Sequence, residues 1–178
     1  MAIWEISDNN HFYLMLKKFA STVSLKFLQS HALFGGFEDE ELIKFLTFMR
    51  QEEYPKGAKI VIEGDPGNCL FLIVEGSVEI LKIVADTGDD HSEQIATLGI
   101  GETFGEMAII DLHTRSATVR VLKDSIVLVL SSKSLSHIWK SYPKIYTLIL
   151  TNLTREISMR LRSIDSRFAI SLFSAKRK

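Results

Sequence analysis

The sequence predicts a mainly β protein of the α+β class, in which an antiparallel β-roll, or jelly roll, is flanked by N-terminal helices and a C-terminal helical segment. Eight of the ten glycines lie between Gly57 and Gly105, and the runs between them favour strands, with turn signals roughly every 8–12 residues. On both sides of this region apolar residues recur at a three- and four-residue spacing, which is typical of amphipathic helices. These patterns divide the chain into an N-terminal helical segment (1–30), a β-roll (31–133), and C-terminal helices with a basic tail (134–178).

Two helices are predicted before the roll. Between residues 12 and 28 the apolar side chains fall on one helical face, and Gly35 and Gly36 then interrupt the pattern. The acidic residues 38–41 crowd the first turn of a second helix, where the helix dipole favours negative charge. The apolar face expected for this second helix consists of Leu42, Phe45, Leu46 and Met49.

The roll itself is expected to contain six strands, and two helices are expected after it. The strand-forming runs cover residues 59–62, 70–74, 77–84, 93–98, 116–122 and 125–130. A short helix is expected over residues 134–139, and Pro143 suits the first turn of a long one. The apolar stripe of this long helix consists of Ile145, Ile149, Leu153, Ile157, Leu161 and Ile164. So narrow a stripe indicates a face that docks either onto the domain or onto a partner helix.

Composition and cysteine content predict an ordinary globular domain in a reducing compartment. Of the 178 residues, 46% are hydrophobic and 24% are charged, as in an average globular protein. The single cysteine, Cys69, can form neither an internal disulfide nor a multi-cysteine zinc site. The apolar runs are far shorter than the ~20 residues of a membrane span, and acidic residues precede the first basic one, unlike in a signal peptide. The sequence therefore predicts a cytoplasmic protein without a membrane span.

The charges are distributed unevenly along the chain. Sixteen acidic residues face five basic ones between Phe37 and Glu106, whereas seven basic residues face two acidic ones over residues 155–178. The acidic middle should repel a nucleic-acid backbone, so any contact with DNA would be limited to the tail. The simpler interpretation of that tail is a solvated helix end followed by a frayed basic terminus.

The motifs of common enzymes are absent from the sequence. The five histidines are dispersed and form neither HxH nor HExxH, so no metal site is predicted. No GxSxG motif supplies a nucleophile. Gly99, Gly101 and Gly105 come close to a dinucleotide fingerprint, but the last interval is one residue too long and no long helix is expected to follow. We therefore expect a protein that is not an enzyme and has no cofactor.

One segment, residues 101–119, carries groups suited to a sugar phosphate. Gly105 is expected to begin a single helical turn, whose free N–H groups form a site for an anion. Glu106 could accept a hydrogen bond from a ribose-like hydroxyl, and Arg115 could donate two parallel bonds to phosphate oxygens. The alternative for these two residues is an ordinary Glu106–Arg115 salt bridge across a turn.

This segment resembles the phosphate-binding cassette of the cyclic nucleotide-binding domain family. The matching residues are Phe104-Gly105-Glu106-Met107-Ala108 and, after six further residues, Arg115-Ser116-Ala117. The similarity extends upstream to Leu33-Phe34, the acidic helix start, residues 54–57, Glu63-Gly64-Asp65 and residues 70–78, and it covers about residues 30–163 in all.

The resemblance implies a role for each residue of the site. Glu106 would hold the ribose 2′-hydroxyl and Arg115 the cyclic phosphate. The backbone of Gly105, Met107, Ala108 and Ser116 would complete the phosphate cradle, with Ala117 closing the motif. The base would pack against Ile80, Ile95 and Ala96, for which the alternative is an ordinary core position. Arg160 would meet or stack on the base edge; alternatively it is an exposed, solvated side chain.

The resemblance also implies a function. The chain would be a cyclic nucleotide sensor that binds cAMP, with cGMP as the alternative because Ser116 keeps a hydroxyl group. Occupancy would be relayed through the C-terminal helix, acting as a lid or as the seam of a homodimer, to a protein partner that the sequence does not identify. Only fifteen residues follow Ser163, so no DNA-binding domain is expected. The other hypothesis is a scaffold or interaction protein with a degenerate, empty pocket.

Overall fold

The computed structural model describes residues 25–84, 92–111 and 113–175. The first described elements are helix α1 (Leu25–Ser30), a 3₁₀ turn (Ala32–Phe34) and helix α2 (Asp39–Leu46). The acidic first turn of α2 is present as predicted, and the side chains of Glu38 and Glu41 form a capping box. Most of the helix predicted over residues 12–28 lies outside the described residues.

Antiparallel pairing joins six strands into one sheet, which confirms the predicted mainly β fold class. The strands are β1 (Met49–Tyr54), β2 (Lys59–Val61), β3 (Cys69–Ile83), β4 (Ser92–Leu98), β5 (Thr103–Phe104) and β6 (Thr118–Ser131). They follow the order β1-β6-β3-β4, while β2 pairs with β6 and β5 pairs with β3.

The two long strands differ from the prediction, which divided each of them into two runs. A single strand, β3, covers 70–74 and all but the last residue of 77–84, and β6 covers 125–130 and residues 118–122 of the run 116–122. Gly76, with φ of 87°, lies where the register between β3 and β6 shifts. A Cβ there would overlap Ser125 and the Asp124 carbonyl. Gly76 therefore marks a bulge within the strand and not the turn that a lone glycine suggests.

Strands β1 and β5 were not predicted. Met49 was expected on the apolar face of α2, but it begins β1 opposite Leu130. The sequence of β1 after Met49 is almost entirely polar, because β1 lies at the edge of the sheet beside β6. Strand β5 has only two residues, too few for any periodicity to appear.

Alternate side chains of the long strands fill two separate cores. Leu70, Leu72, Leu128 and Leu130 join the helices in one core. Their neighbours along the same strands, among them Phe71, Ile73, Val127 and Val129, form a second core inside the roll. This alternation follows from the two-residue period of a strand that is covered on both faces.

Between β5 and β6 lies the short helix α3 (Glu106–Ile110). The sheet is followed by α4 (Ser132–Ser141) and the long helix α5 (Pro143–Ala175). The apolar stripe of α5 has two parts: Ile145, Ile149 and Leu153 are buried in the core, whereas Leu161 and Ile164 are exposed. Within the described ranges, no helix combines the length and the apolar character that crossing a membrane requires.

The first half of α5 is fixed to the 3₁₀ turn. Asn152, only 2% exposed, donates hydrogen bonds to the carbonyls of Leu33 (2.9 Å) and Gly35 (2.8 Å). The expected docking face therefore exists over these first turns of α5.

Candidate functional site

The site is built around the sharp bend at Gly105, between β5 and α3. Gly105 has a φ of 80° and precedes the helix as its N-cap. A Cβ at this position would lie 2.7 Å from both Arg115 Nη1 and the Cys69 carbonyl oxygen. The bend therefore requires glycine both for its backbone conformation and for the close approach of Arg115.

Arg115 is a buried cation. Its residue is 8% exposed, its Nη1 donates to the Cys69 carbonyl at 2.9 Å, and its guanidinium lies 5.4 Å from the centre of the Phe71 ring. Burial lowers the pKa of Arg115, an effect that Cys69 partly opposes. No ion pair within the described part of the chain includes Arg115. Since a buried charge normally has a partner of opposite sign, Arg115 is suited to receive an anion.

The backbone of Arg115 is fixed by the turn before β3. Its N–H donates to the Asp65 carbonyl at 2.8 Å, and its carbonyl accepts from the Gly64 N–H at 2.9 Å. A Cβ on Gly67 would overlap Ala108 and crowd the Arg115 side chain. These residues are more than forty positions away in sequence, so motif spacing alone could not reveal their contacts.

All eleven residues singled out from the sequence line one open cavity of about 510 Å³. They are Gly105, Glu106, Met107, Ala108, Arg115, Ser116, Ala117, Ile80, Ile95, Ala96 and Arg160. Ile80 and Ala96 are half-buried. Ile95, however, is 59% exposed, so the alternative of an ordinary core position is wrong for that residue.

Helix α5 closes one side of the cavity through Arg160. Its Nη1 donates to Glu106 Oε1 at 2.8 Å, and its Nη2 donates to the carbonyl (2.6 Å) and the hydroxyl (3.0 Å) of Thr103. The Thr103 hydroxyl in turn donates to Glu156 Oε2 at 3.0 Å. We call these four residues the latch. The expected alternative of a solvated Arg160 is therefore wrong, and so is that of a Glu106–Arg115 salt bridge.

The sequence did not single out several other residues of the cavity wall. Among them, Ser163, Ile164 and Arg167 follow Arg160 on one face of α5, and Glu102 precedes β5. Arg160, Ile164 and Arg167 are spaced three or four residues apart, and this spacing could have indicated that they share one face of the helix. Three guanidinium groups and two carboxylates thus line the cavity, which leaves a positive excess suited to an anionic ligand. Within the described ranges, no three His, Cys, Asp or Glu side chains are arranged to hold a metal ion.

Comparison with known proteins matches this region to one family. The family model described as "Cyclic nucleotide-binding domain" matches residues 51–142. The cyclic AMP receptor protein of Thermus thermophilus is 29% identical over 150 residues, which cover 84% of this chain and 66% of the receptor. Human cGMP-dependent protein kinase 2 is 34% identical over 93 residues, which cover 52% of this chain and 12% of the kinase. The matches therefore span less than two thirds of either relative.

A solved structure agrees with the sequence comparison. A cyclic nucleotide-binding domain from Methylobacillus flagellatus superimposes with a TM-score of 0.74 at 30% identity. The superposition covers 85% of this chain and 82% of that one. It therefore includes the helices on both sides of the roll as well as the roll itself.

Proposed function

Since the chain belongs to the cyclic nucleotide-binding domain family, we propose that its cavity binds a 3′,5′-cyclic mononucleotide and that the protein is a regulatory sensor. The observation that carries this proposal is the buried Arg115 guanidinium, which faces the cavity without a carboxylate partner within the described residues. A cyclic phosphate, with one negative charge, would supply the missing partner through two parallel hydrogen bonds. The proposal assigns binding to these residues and no chemical step.

The other groups of the cassette complete the proposed binding mode. The backbone around Gly105, Met107, Ala108 and Ser116 would hold the phosphate, because the free N–H groups at the start of α3 face an anion favourably. Glu106 would accept a hydrogen bond from the ribose 2′-hydroxyl while it keeps its bond to Arg160. A 2′-deoxy analogue should therefore bind less tightly than the ribonucleotide.

For the base we propose adenine. In this family a threonine after the cassette arginine often accompanies a preference for cGMP, whereas alanine or serine accompanies cAMP, and Ser116 stands at that position here. Ile80, Ile95 and Ala96 would provide the apolar surface for the base.

We also propose that α5 relays occupancy, since ligand at Glu106 necessarily meets the latch. A ligand can shift the helix only through contacts that differ between the two states, and the Glu106–Arg160 bond is such a contact. The exposed second half of α5 would carry the signal to a second copy of the chain or to another protein partner. With the single reduced cysteine, this fits a regulator in the cytoplasm.

Equilibrium titration with cAMP and cGMP tests the proposal. Arg115→Ala should weaken cAMP binding by about 2–4 kcal/mol, because it removes a charge-assisted pair in a partly desolvated site. Arg120→Ala is the control, since Arg120 bonds Glu79 and does not line the cavity.

Three results would contradict parts of the proposal. An unchanged dissociation constant in Arg115→Ala would remove Arg115 as the anchor. A wild-type protein that binds neither nucleotide would favour a scaffold with an empty pocket. Binding of cGMP tenfold tighter than cAMP, about 1.4 kcal/mol, would reverse the choice of base.

A further inference from the structure

An ion pair lies behind the phosphate-binding segment, outside the cavity. Lys82, near the end of β3, places its Nζ 2.5 Å from Glu63 Oε1. The same Nζ donates a hydrogen bond to the carbonyl of Ser116 at 2.7 Å. Neither Lys82 nor Glu63 lines the cavity, and Lys82 contacts the cassette through the backbone carbonyl of Ser116.

Glu63 is held in place by bonds on both sides. Its Oε2 accepts from the N–H of Ile83 at 2.9 Å, and its own N–H donates to the Thr118 hydroxyl at 3.0 Å. Burial alone would raise the pKa of Glu63, but the hydrogen bonds from Lys82 and Ile83 outweigh it and leave the pKa below its usual value. The carboxylate therefore stays charged at neutral pH and fixes the position of the Lys82 ammonium.

The position of the Lys82 ammonium determines the orientation of one peptide group in the cassette. In a planar trans peptide, the carbonyl of one residue and the N–H of the next point in opposite directions, and the peptide between Ser116 and Ala117 is trans. The Ser116 carbonyl is directed to Lys82, which does not line the cavity, so the N–H of Ala117 is directed away from Lys82. Ala117 itself lines the cavity.

We propose that Lys82 and Glu63 are positioning residues for ligand binding: by holding the Ser116 carbonyl outward, they direct the Ala117 N–H into the cavity as a fixed donor for an anion. This inference rests on the proposed function, which assigns the cyclic phosphate to this cavity. It adds to the cassette two residues that lie outside the cavity and more than thirty positions before Ser116 in sequence.

A matched ion pair in the same sheet makes the inference testable. Arg120 on β6 lies 2.5 Å from Glu79 on β3, and its side chain is 45% exposed, compared with 47% for Lys82. Arg120 does not line the cavity, and its side chain bonds Glu79 and not the cassette backbone. Glu79 is the more buried carboxylate, so its cation should matter more for stability than Lys82 does.

The experiment compares Lys82→Met, Lys82→Arg and Arg120→Met in the full chain, by thermal unfolding and by titration with cAMP and cGMP. Lys82→Met should weaken binding about tenfold, the lower end of what losing an outer-shell partner costs at metal sites. Lys82→Arg, which keeps the positive charge, should retain most of the wild-type affinity. Arg120→Met should lower the melting temperature more than Lys82→Met does and leave the dissociation constant within about twofold, because its partner is buried but remote from the cassette. Equal affinity in Lys82→Met and wild type, or equal losses in Lys82→Met and Arg120→Met, would overturn the inference.

Backbone ¹⁵N relaxation of the ligand-free protein separates this inference from the proposed function. The order parameter of the Ala117 amide should be lower in Lys82→Met than in wild type, because the carbonyl of the same peptide group loses its donor, and it should be unchanged in Arg120→Met. If wild type binds neither nucleotide, the proposed function fails, and the order parameter alone decides whether Lys82 fixes this peptide group. A lower value in Lys82→Met then supports that role, and an unchanged value overturns it.

Discussion

Gly105 determines how closely the Arg115 side chain can approach the end of β5. Its φ of 80° and the 2.7 Å that would separate a Cβ from Arg115 Nη1 impose two separate requirements. Gly57 has a similar φ of 87°, but a Cβ there would meet nothing within 4 Å. Substituting each glycine therefore separates two costs: backbone strain alone at Gly57, and strain together with displacement of Arg115 at Gly105.

Gly105→Ala should lower the free energy of unfolding by about 2 kcal/mol and weaken cAMP binding at least tenfold, since it adds a clash to the strain of a left-handed backbone. Gly57→Ala should cost about 1 kcal/mol through strain alone and leave affinity unchanged. Chemical denaturation and equilibrium titration provide the two measurements. Equal affinities in the two variants would mean that the Gly105 bend does not position Arg115.

At this scale the sequence predicted the residues of the cassette but not the contacts that hold them. Gly105, Glu106 and Arg115 lie close together in the chain, so their spacing forms a recognisable motif. The contacts of Arg115 with Gly64 and Asp65, and of Arg160 with Glu106, join residues separated by about fifty positions. Such contacts depend on strand register and on the direction of α5, and local spacing specifies neither.

Helix α5 has two halves with different surroundings. The first half is held by buried apolar side chains and by Asn152. The second half contacts the cassette through the latch, in which the Arg160 side chain is 38% exposed. Because the first half is buried and the side chains of the second half are largely exposed, the second half should open at a lower free-energy cost than the first.

Arg160→Met should weaken cAMP binding about fivefold, mainly through faster dissociation, because it removes the charged hydrogen bonds that hold α5 over the cavity. Arg155→Met is the matched control: Arg155 lies on the same helix and bonds Asn152. Stopped-flow dissociation kinetics measure the effect. Tighter binding by Arg160→Met would instead mean that Arg160 competes with the ligand for Glu106.

The elements that the sequence predicted correctly are those with a strong local pattern. The acidic start of α2, Pro143 at the start of α5, and the strand over residues 93–98 belong to this group. Strand β1 was not predicted because a strand at the edge of a sheet need not be apolar. The long strands were divided because Gly76 resembles a turn signal, whereas its actual neighbour is Ser125 on β6.

At the scale of the whole molecule, the second half of α5 carries exposed apolar side chains. Its large exposed apolar side chains outside the cavity wall include Met159 and Leu161. Large apolar side chains exposed on one helix can mark an interaction surface. A second copy of the chain, related by a two-fold axis, would cover them.

Leu161→Glu should convert the proposed dimer into a monomer, because it places a charge in the apolar seam. Its affinity for cAMP should change by less than about threefold, since Leu161 does not line the cavity and a distant change adds little to binding. Sedimentation velocity over a range of concentrations, with and without cAMP, measures the oligomeric state. A wild-type protein that is monomeric under all of these conditions would contradict the dimer.

The alternation of side chains along β3 and β6 has a consequence for how the molecule unfolds. Leu70 and Leu72 belong to the core beneath the helices, whereas Phe71 and Ile73 belong to the core of the roll. The helices therefore cannot leave the sheet without uncovering strands that the roll also needs. The helices that contribute to this core, including the first half of α5, share one backbone with the roll and should unfold together with it as a single cooperative unit.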